Sequence, residues 1–235
     1  MELFLIRHGE SSNNALESRL GEAYPRQRSQ DPELTEKGEQ QAACTAAFLA
    51  RGGHLYPAER EAIRPFVDQL YCSPMIRALH TAQFIGRVLG LRPEVWPEIH
   101  EVGGIYLDQG DEKVGFPGQT RSQILQRFPE AALPPQINEA GWWNRGFEEA
   151  YQGQGRAIGV AQVLRRRAGE KQRLALISHG DFMSNLLKAL GDQLPWPGGY
   201  YEHGNTGITR LDFSPEGRMV VKYLNRVDHL PEELV

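Results

Sequence analysis

The chain has few cysteines, no excess of positive charge and no long apolar run. Its two cysteines among 235 residues, Cys44 and Cys72, are too few for a disulfide framework and lack metal-ligand spacing. A formal net charge of −4 gives no general attraction for nucleic acid or anionic membranes. The first apolar stretch, Leu3–Ile6, ends at a charged residue and therefore fits neither a signal peptide nor a membrane span. These absences predict a cytoplasmic protein without nucleic-acid or membrane partners.

Apolar residues make up 40% of the chain, which is enough for one substantial core. α/β domains of this size commonly fold as one unit, so residues 1–235 are expected to form a single domain. Apolar runs at Leu3–Ile6, Asp68–Cys72 and Leu174–Ser178 predict buried strands. Helical patterns alternate with these strands, and this alternation predicts a three-layer α/β/α fold with a mainly parallel central sheet.

Capping signals predict where the helices start. Thr35 is a good N-cap for a helix through Leu49. Ser73-Pro74 predicts a second helix start, with serine as the N-cap and proline at the first helical position, so Arg77 falls in the first turn. A third helix is predicted from about 182 to 190, directly after the last apolar run.

A segment rich in glycine and proline extends from about 103 to 145. It has one short helical candidate near 120–128, and we expect it to form a lid-like insertion over the active edge of the sheet. Trp142 and Trp143 are predicted to begin a long helix that ends near Arg167. Packing is the expected role of these tryptophans, and lining the lid, together with Phe116 and Arg145, is the alternative.

Two His-Gly pairs, far apart in the chain, each follow an apolar run. The first lies in Arg7–Ser11 and the second in Ser178–Gly180. Ligands of open α/β sheets bind at the carboxyl ends of the strands. Two strands that each deliver a histidine to that edge predict two imidazoles in one pocket, an arrangement that indicates phosphate chemistry.

The arginines near these histidines fit the same chemistry, because a phosphate monoester is a dianion that needs positive charge and hydrogen-bond donors. Arg7 and Arg77 offer planar forks for bidentate phosphate contacts. A histidine beside two guanidinium groups loses proton affinity, so one imidazole is expected to stay neutral near physiological pH. A neutral imidazole is a competent nucleophile.

Over nearly its whole length the chain resembles the histidine phosphatase superfamily, which includes phosphoglycerate mutases and phosphatases. Three motifs carry the resemblance in order: Arg7–Ser11 with Asn14, Ser73–Ala78 and Ser178–Gly180. Two further stretches, at 31–38 and 205–209, are also similar to the family.

The resemblance implies a role for each of the matching residues. His8 would attack phosphorus and form a phosphohistidine, and His179 would stabilise the phosphoryl oxygens. The phosphoryl group would be bound by the remaining residues of the set, which are Arg7, Asn14, Arg77 and Gly180. Neither a cofactor nor a metal ion is implied.

The family supplies a proton donor from a carboxylic acid after the second strand–helix unit. Glu98 and Glu101 both occur there, and the residues around Glu101 fit the family pattern better. Burial should raise the pKa of this carboxyl group and nearby cations should lower it, so the sign of the net shift stays open. A solvated loop carboxylate is the alternative interpretation of Glu101.

The implied function is a metal-independent phosphatase acting on a small phosphorylated metabolite. One alternative is a phosphoglycerate mutase, an isomerase. Residues 12–16 occupy the place where such mutases have an aromatic-containing stretch, and this departure favours hydrolysis. Another alternative is a non-enzymatic phospholigand-binding module, against which the intact set of Arg7, His8, Arg77 and His179 argues.

The sequence leaves the substrate open. Arg19, Arg26 and Arg28 follow the first motif, and one of them is a candidate contact for a second acidic group; solvated loop cations are the alternative. Among the remaining histidines, His203 is expected to lie nearest the pocket. The family resemblance allows a homodimer, although no interface patch is recognisable.

Overall fold

A computed structural model describes residues 1–62, 65–110, 112–193 and 198–235 of the chain. Its strands are β1 (Glu2–Arg7), β2 (Gln69–Cys72), β3 (Glu94–Val95), β4 (Tyr106–Gln109), β5 (Glu112–Gly115), β6 (Arg173–Ser178), β7 (Ile208–Phe213) and β8 (Met219–Arg226). Its α-helices are α1 (Ser12–Leu20), α2 (Glu36–Ala50), α3 (Pro57–Ala62), α4 (Ile76–Leu89), α5 (Arg121–Arg127), α6 (Ala150–Arg166) and α7 (Gly180–Leu190). Short 3-10 helices occupy Gly21–Arg26, Pro97–Ile99 and Glu232–Leu234.

The main sheet has the strand order β3-β2-β6-β1-β7-β8. In this order, β3, β2, β6 and β1 run parallel to one another, and β7 and β8 are antiparallel to their neighbours. The predicted α/β class with a mainly parallel sheet is therefore confirmed. The sequence analysis does not predict β8, an edge strand that is largely exposed and whose apolar residues are interrupted by Lys222.

Helices cover both faces of the sheet. Leu3 and Leu5 of β1 point to one face and Phe4 and Ile6 to the other, as the two-residue period of a strand requires. Helices α6 and α7 pack on the leucine side, and α2 and α4 pack on the opposite side. The four side chains of β1, Leu3–Ile6, are fully buried, so the sheet is the middle layer of three.

The predicted cap of α2 is confirmed, because the Thr35 hydroxyl accepts a hydrogen bond from the Gly38 amide at 3.1 Å. The predicted cap at Ser73 is wrong: α4 begins at Ile76, and Met75 is its N-cap residue. The Ser73 hydroxyl instead lies 2.8 Å from the His179 ring. The same hydroxyl also accepts a hydrogen bond from the Met75 amide at 3.3 Å, so Ser73 contacts both the start of α4 and the second histidine.

The insertion contains α5, which confirms the short helix predicted near 120–128 and has Thr120 as its N-cap. It also contains the hairpin of β4 and β5, which the glycine-rich sequence does not predict. Residue 111, inside this segment, lies outside the described residues. The tryptophans do not begin a helix, since α6 starts only at Ala150. The amides of Trp142 and Trp143 donate instead to carbonyl groups of the insertion, at Gln119 and Pro117.

The stretch after the first motif, predicted as a polar loop, contains α1. Ser11 and Asn14 form a capping box that starts this helix despite its lack of a strong apolar face. In the ranges given above, no helix combines the length and apolar character needed to cross a membrane.

Candidate active site

The pairing of β1 with β6 brings the two histidine motifs together. In this parallel ladder Arg7 lies opposite Ser178, so His8 and His179 leave the sheet side by side. The ring centroids of the two histidines are 5.0 Å apart, and both side chains are buried. The two imidazoles predicted for one pocket therefore lie at the carboxyl edge of the sheet.

The hydrogen bonds of His8 determine its tautomer. The Gly9 carbonyl lies 2.7 Å from Nδ1, and the Arg77 Nε group donates to Nε2 at 3.0 Å. A carbonyl oxygen only accepts and an arginine N–H only donates. The proton therefore lies on Nδ1, and Nε2 presents its lone pair.

Burial lowers the pKa of His8 well below its ordinary value, and the charges of Arg77 and Arg7 lower it further. The hydrogen bond to the Gly9 carbonyl opposes this shift without reversing it. The imidazole is thus neutral throughout the physiological pH range, as the sequence predicts.

Glycine after His8 is required by a close backbone approach. A Cβ atom on Gly9 would collide with the carbonyl oxygen of Gly38 at the start of α2. The Gly9 amide also donates to the Thr81 hydroxyl at 3.1 Å. These contacts hold the carbonyl group that orients the His8 ring.

The two predicted arginines reach the same place from different elements. Arg7 donates through Nη1 to the His203 carbonyl at 2.6 Å, while its Nε atom is buried and has no partner within the described ranges. Arg77, only 8% exposed, lies in the first turn of α4 as predicted. His203 thus acts on the site through its backbone, and its own ring contacts the Thr209 hydroxyl.

Asp31 is a member of the site that the sequence analysis did not single out. One of its oxygens accepts from the Ile76 amide at 3.1 Å and lies 3.8 Å from Nη1 of Arg77. Burial raises the pKa of Asp31 to about 7, and the charge of Arg77 opposes that rise. The only sequence signal for this role is its position at the start of the family-like stretch 31–38.

His179 keeps one nitrogen free of protein contacts. Its Nε2 atom lies 2.8 Å from the Ser73 hydroxyl, and its buried Nδ1 atom has no partner in the described part of the chain. Burial lowers the pKa of His179 well below its ordinary value, and the charge of Arg77 adds to this effect. When the Ser73 hydroxyl donates to Nε2, the proton of the His179 ring lies on Nδ1, and this N–H group can donate to a phosphoryl oxygen.

Asn14 and Gly180 also line the site. The amide oxygen of Asn14 accepts from the Ser11 backbone at 3.1 Å and from Asn205 at 3.3 Å. Its amide nitrogen has no hydrogen-bond partner among the described residues and remains a donor. Gly180 is the first residue of α7, where backbone N–H groups favour negative charge.

Glu101 lies in the site, whereas Glu98 is exposed and faces away from it. The Oε1 atom of Glu101 accepts from the amides of Val102 and Phe182, each at 2.9 Å, and Oε2 accepts only one longer hydrogen bond, from the Asp181 amide at 3.3 Å. Oε2 is therefore the oxygen better placed to carry a proton. Burial raises the pKa of Glu101 to about 7, helped by the charge of Asp181 and opposed by that of Arg77. The sign of the shift, open at the sequence level, is upward.

Six of the seven predicted site residues line one cavity, and the seventh, His179, lies beside His8, which does line it. The cavity has a volume of about 350 Å³. It is lined by Arg7, His8, Ser11, Asn13, Asn14, Glu17, Tyr24, Arg28, Pro32, Arg77, Glu101, Val102, Tyr106, Gly180, Asp181 and Tyr200. Tyr106 belongs to the insertion, so part of that segment does reach the active edge.

The other candidate lid residues lie elsewhere. Phe116, Trp142, Trp143 and Arg145 do not line the His8 cavity. The two tryptophans pack against His100 at a second cavity of about 320 Å³, with ring centroids 5.3 and 4.7 Å from the histidine. Their role is packing, as the sequence favours.

A buried ion pair supports the backbone that precedes Glu101. Arg156 of α6 makes two hydrogen bonds to the Glu148 carboxylate, at 2.9 and 2.6 Å. Its Nη1 atom donates to the carbonyl groups of Glu98 and His100, at 2.7 and 2.9 Å. One side chain therefore connects α6 to the segment that positions the carboxyl group.

Arg156→Met is expected to destabilise the protein by about 3–5 kcal/mol, because it leaves the Glu148 carboxylate buried without its partner. The side chains of the pair are only 8% and 6% exposed. The measurement is the free energy of unfolding from denaturant titration. The matched control is Arg165→Met, which breaks an exposed ion pair with Asp192 and should cost under about 1 kcal/mol. Equal losses in the two variants would contradict the argument.

The sequence and the fold of this chain are similar to those of known proteins. The family model described as the histidine phosphatase superfamily, branch 1, matches residues 3–226. The solved structure of phosphoserine phosphatase from Entamoeba histolytica with phosphoserine is similar, with 24% identity, coverage of 98% of this chain and 99% of that chain, and a TM-score of 0.61.

The same Entamoeba histolytica enzyme with 3-phosphoglyceric acid gives 24% identity, 98% and 99% coverage, and a TM-score of 0.60. A mycobacterial glucosyl-3-phosphoglycerate phosphatase gives 19% identity, 96% and 99% coverage, and a TM-score of 0.58. At these identities the likeness shows a shared fold. No curated protein sequence matches the chain.

Proposed function

This chain belongs to the histidine phosphatase superfamily and is an enzyme of that kind, and we propose that it hydrolyses a small phosphomonoester through a phosphohistidine at His8, without a metal ion. The observation that carries this proposal is the state of His8. Its unprotonated Nε2 atom accepts a hydrogen bond from the Arg77 Nε group at 3.0 Å. When substrate binds, this donor would turn to a phosphoryl oxygen and leave the Nε2 lone pair for the attack on phosphorus.

In the proposed first step, Nε2 of His8 attacks phosphorus in line with the leaving oxygen. The N–P bond forms as the bond to the leaving oxygen breaks, and Glu101 transfers its proton to the departing alkoxide. Arg7, Arg77 and the Nδ1–H group of His179 hold the phosphoryl oxygens. Positioning and charge stabilisation are the main tasks of a protein in phosphoryl transfer, and this set supplies both.

In the second step, water attacks the phosphorus of the phosphohistidine. The Glu101 carboxylate left by the first step accepts a proton from that water, and the N–P bond breaks to release phosphate and neutral His8. A carboxyl group with a pKa of about 7 suits both duties, because it loses and regains its proton near physiological pH.

Small phosphorylated metabolites are the proposed substrates. Structures similar to this chain bind phosphoserine and 3-phosphoglyceric acid, which makes these two compounds the first to test. We also propose that residues 1–235 act as one domain, since the family match extends from residue 3 to residue 226.

The direct test is phosphate release from p-nitrophenyl phosphate with and without excess chelator. We expect the same rate in both conditions, because the Arg7 and Arg77 side chains supply the positive charge that a metal ion would otherwise provide. A rate that disappears on chelation and returns with a divalent cation would overturn the metal-independent mechanism. Phosphorus NMR on 3-phosphoglycerate then separates hydrolysis from isomerisation, since a mutase would form 2-phosphoglycerate without inorganic phosphate.

A further inference from the structure

We propose that Arg28 binds a carboxylate group of the substrate, so that the enzyme prefers phosphomonoesters of carboxylic acids. This inference rests on the proposed function and names the substrate class of the same site. Of the three arginines that the sequence leaves open, only Arg28 lines the His8 cavity, whereas Arg19 and Arg26 are exposed and lie outside it.

The guanidinium group of Arg28 is held in place, and no side chain in the described part of the chain is its anionic partner. It stacks on the Tyr106 ring, with its central carbon 3.9 Å from the ring centroid. Its Nε atom is buried without a hydrogen-bond partner, and no carboxylate of the described residues lies within ion-pair distance of the group. Stacking covers the face of the fork and leaves its N–H edge for a ligand.

The backbone beside Arg28 is also anchored. The buried Asn13 side chain donates to the Ser29 carbonyl and accepts from the Ser29 amide, both at 2.8 Å. Tyr106 is fixed independently, in the β4–β5 hairpin. A cation positioned from two sides loses little conformational freedom on binding, so its hydrogen bonds contribute more fully to affinity.

The positive charges of Arg77 and Arg28 favour an anionic ligand in the cavity. Arg28 is close enough to Arg77 that its charge, added to the effect of burial, lowers the pKa of Arg77. Besides Glu101, two acidic side chains line the cavity, Glu17 and Asp181. Neither forms an ion pair with Arg28, and Asp181 accepts a hydrogen bond from the Tyr200 hydroxyl at 3.0 Å. A planar carboxylate matches the unpaired fork of Arg28 while the phosphate occupies the His8 end.

The test compares substrates that differ in the carboxylate alone. Phosphoserine and phosphoethanolamine share the phosphate ester and the ammonium group, and only phosphoserine has a carboxylate. We expect Arg28→Ala to lower the ratio of kcat/KM for phosphoserine over phosphoethanolamine by about 10-fold or more, the scale of a lost charge-assisted hydrogen-bond pair. Arg28→Lys keeps the charge but not the fork and should lie between. Arg26→Ala, which removes a neighbouring exposed cation, should leave the ratio as in the native protein.

Calorimetric binding of the same two compounds to His8→Ala protein separates this inference from the proposed function. If Arg28→Ala in that background removes the preference for phosphoserine while the native protein hydrolyses neither compound, the carboxylate site stands and the phosphatase proposal fails. If the native protein hydrolyses both and Arg28→Ala leaves the ratio unchanged, or lowers both rates equally, Arg28 does not read the carboxylate. A second pair, 3-phosphoglycerate and glycerol 3-phosphate, must give the same answer.

Discussion

His8→Ala should abolish phosphate release, with kcat at least about 10⁴-fold below that of the native protein, the scale seen when a covalent nucleophile is removed. Among the described residues, His8 is the imidazole that presents an unprotonated Nε2 to the phosphoryl site, between the charges of Arg77 and Arg7. His179 is the nearest imidazole, but its Nε2 atom is engaged with Ser73. Steady-state hydrolysis of p-nitrophenyl phosphate measures the loss.

Two controls make the His8 result specific. His80 is a histidine of α4 that does not line the His8 cavity, and His80→Ala should retain turnover. Native protein quenched during turnover should carry phosphate that is stable to alkali and labile to acid, as a phosphoramidate bond is, and His8→Ala protein should carry none. A phosphorylated His8→Ala protein, or one that still turns over, would show that the nucleophile is another residue.

Glu101→Gln should reduce kcat by about 10²–10⁴-fold for alkyl phosphates such as phosphoserine, the range for a lost general acid–base group. The loss in the first step should be smaller for p-nitrophenyl phosphate, whose leaving group departs without a proton. With that substrate we expect a burst of nitrophenolate followed by slow turnover, because the second step still lacks its base. Stopped-flow absorbance resolves the two phases.

The role of Glu101 as general acid also predicts the direction in which kcat/KM changes with pH. The pKa of Glu101 is raised to about 7, so the acid form exists below that pH and disappears above it. The native kcat/KM for alkyl phosphates should therefore fall as the pH rises through about 7, and this limb should be absent in Glu101→Gln. The pKa of Asp31 is also raised to about 7, so Asp31→Asn is the necessary comparison. A limb that vanishes in Asp31→Asn and persists in Glu101→Gln would assign the proton to Asp31.

The positions of both histidines follow from local sequence, because the carboxyl ends of parallel strands lie at the same edge of the sheet. Apolar runs long enough for buried strands, each followed by a His-Gly pair, place both histidines at one sheet edge, and the parallel pairing of Arg7 with Ser178 brings them side by side. The family resemblance favours Glu101 over Glu98, and Glu101 lines the His8 cavity while Glu98 is exposed; the role of Glu101 as proton donor stays a prediction. These features depend on residue type and order, which the sequence states directly.

Local rules failed where distant residues claim a side chain or a backbone group. Ser73 has a good capping sequence, yet its hydroxyl meets His179 and α4 starts later. Trp142 and Trp143 have a helix-like continuation, yet their amides pair with the insertion. For the tryptophans, contacts between residues remote in sequence outweigh a helix preference of order 1 kcal/mol. The Ser73 hydroxyl instead makes both contacts, accepting from the Met75 amide at 3.3 Å as well as meeting His179.

By itself, the sequence determined the layered α/β fold, the two histidines with their two arginines, and the neutral state expected of an imidazole between cations. Only the tertiary structure decided which nitrogen of His8 carries the proton, in which direction the pKa of Glu101 moves, and that Arg28 rather than Arg19 or Arg26 borders the cavity. The reason is that these properties depend on distances and burial between segments far apart in the chain, whereas strands, caps and charges are properties of neighbouring residues.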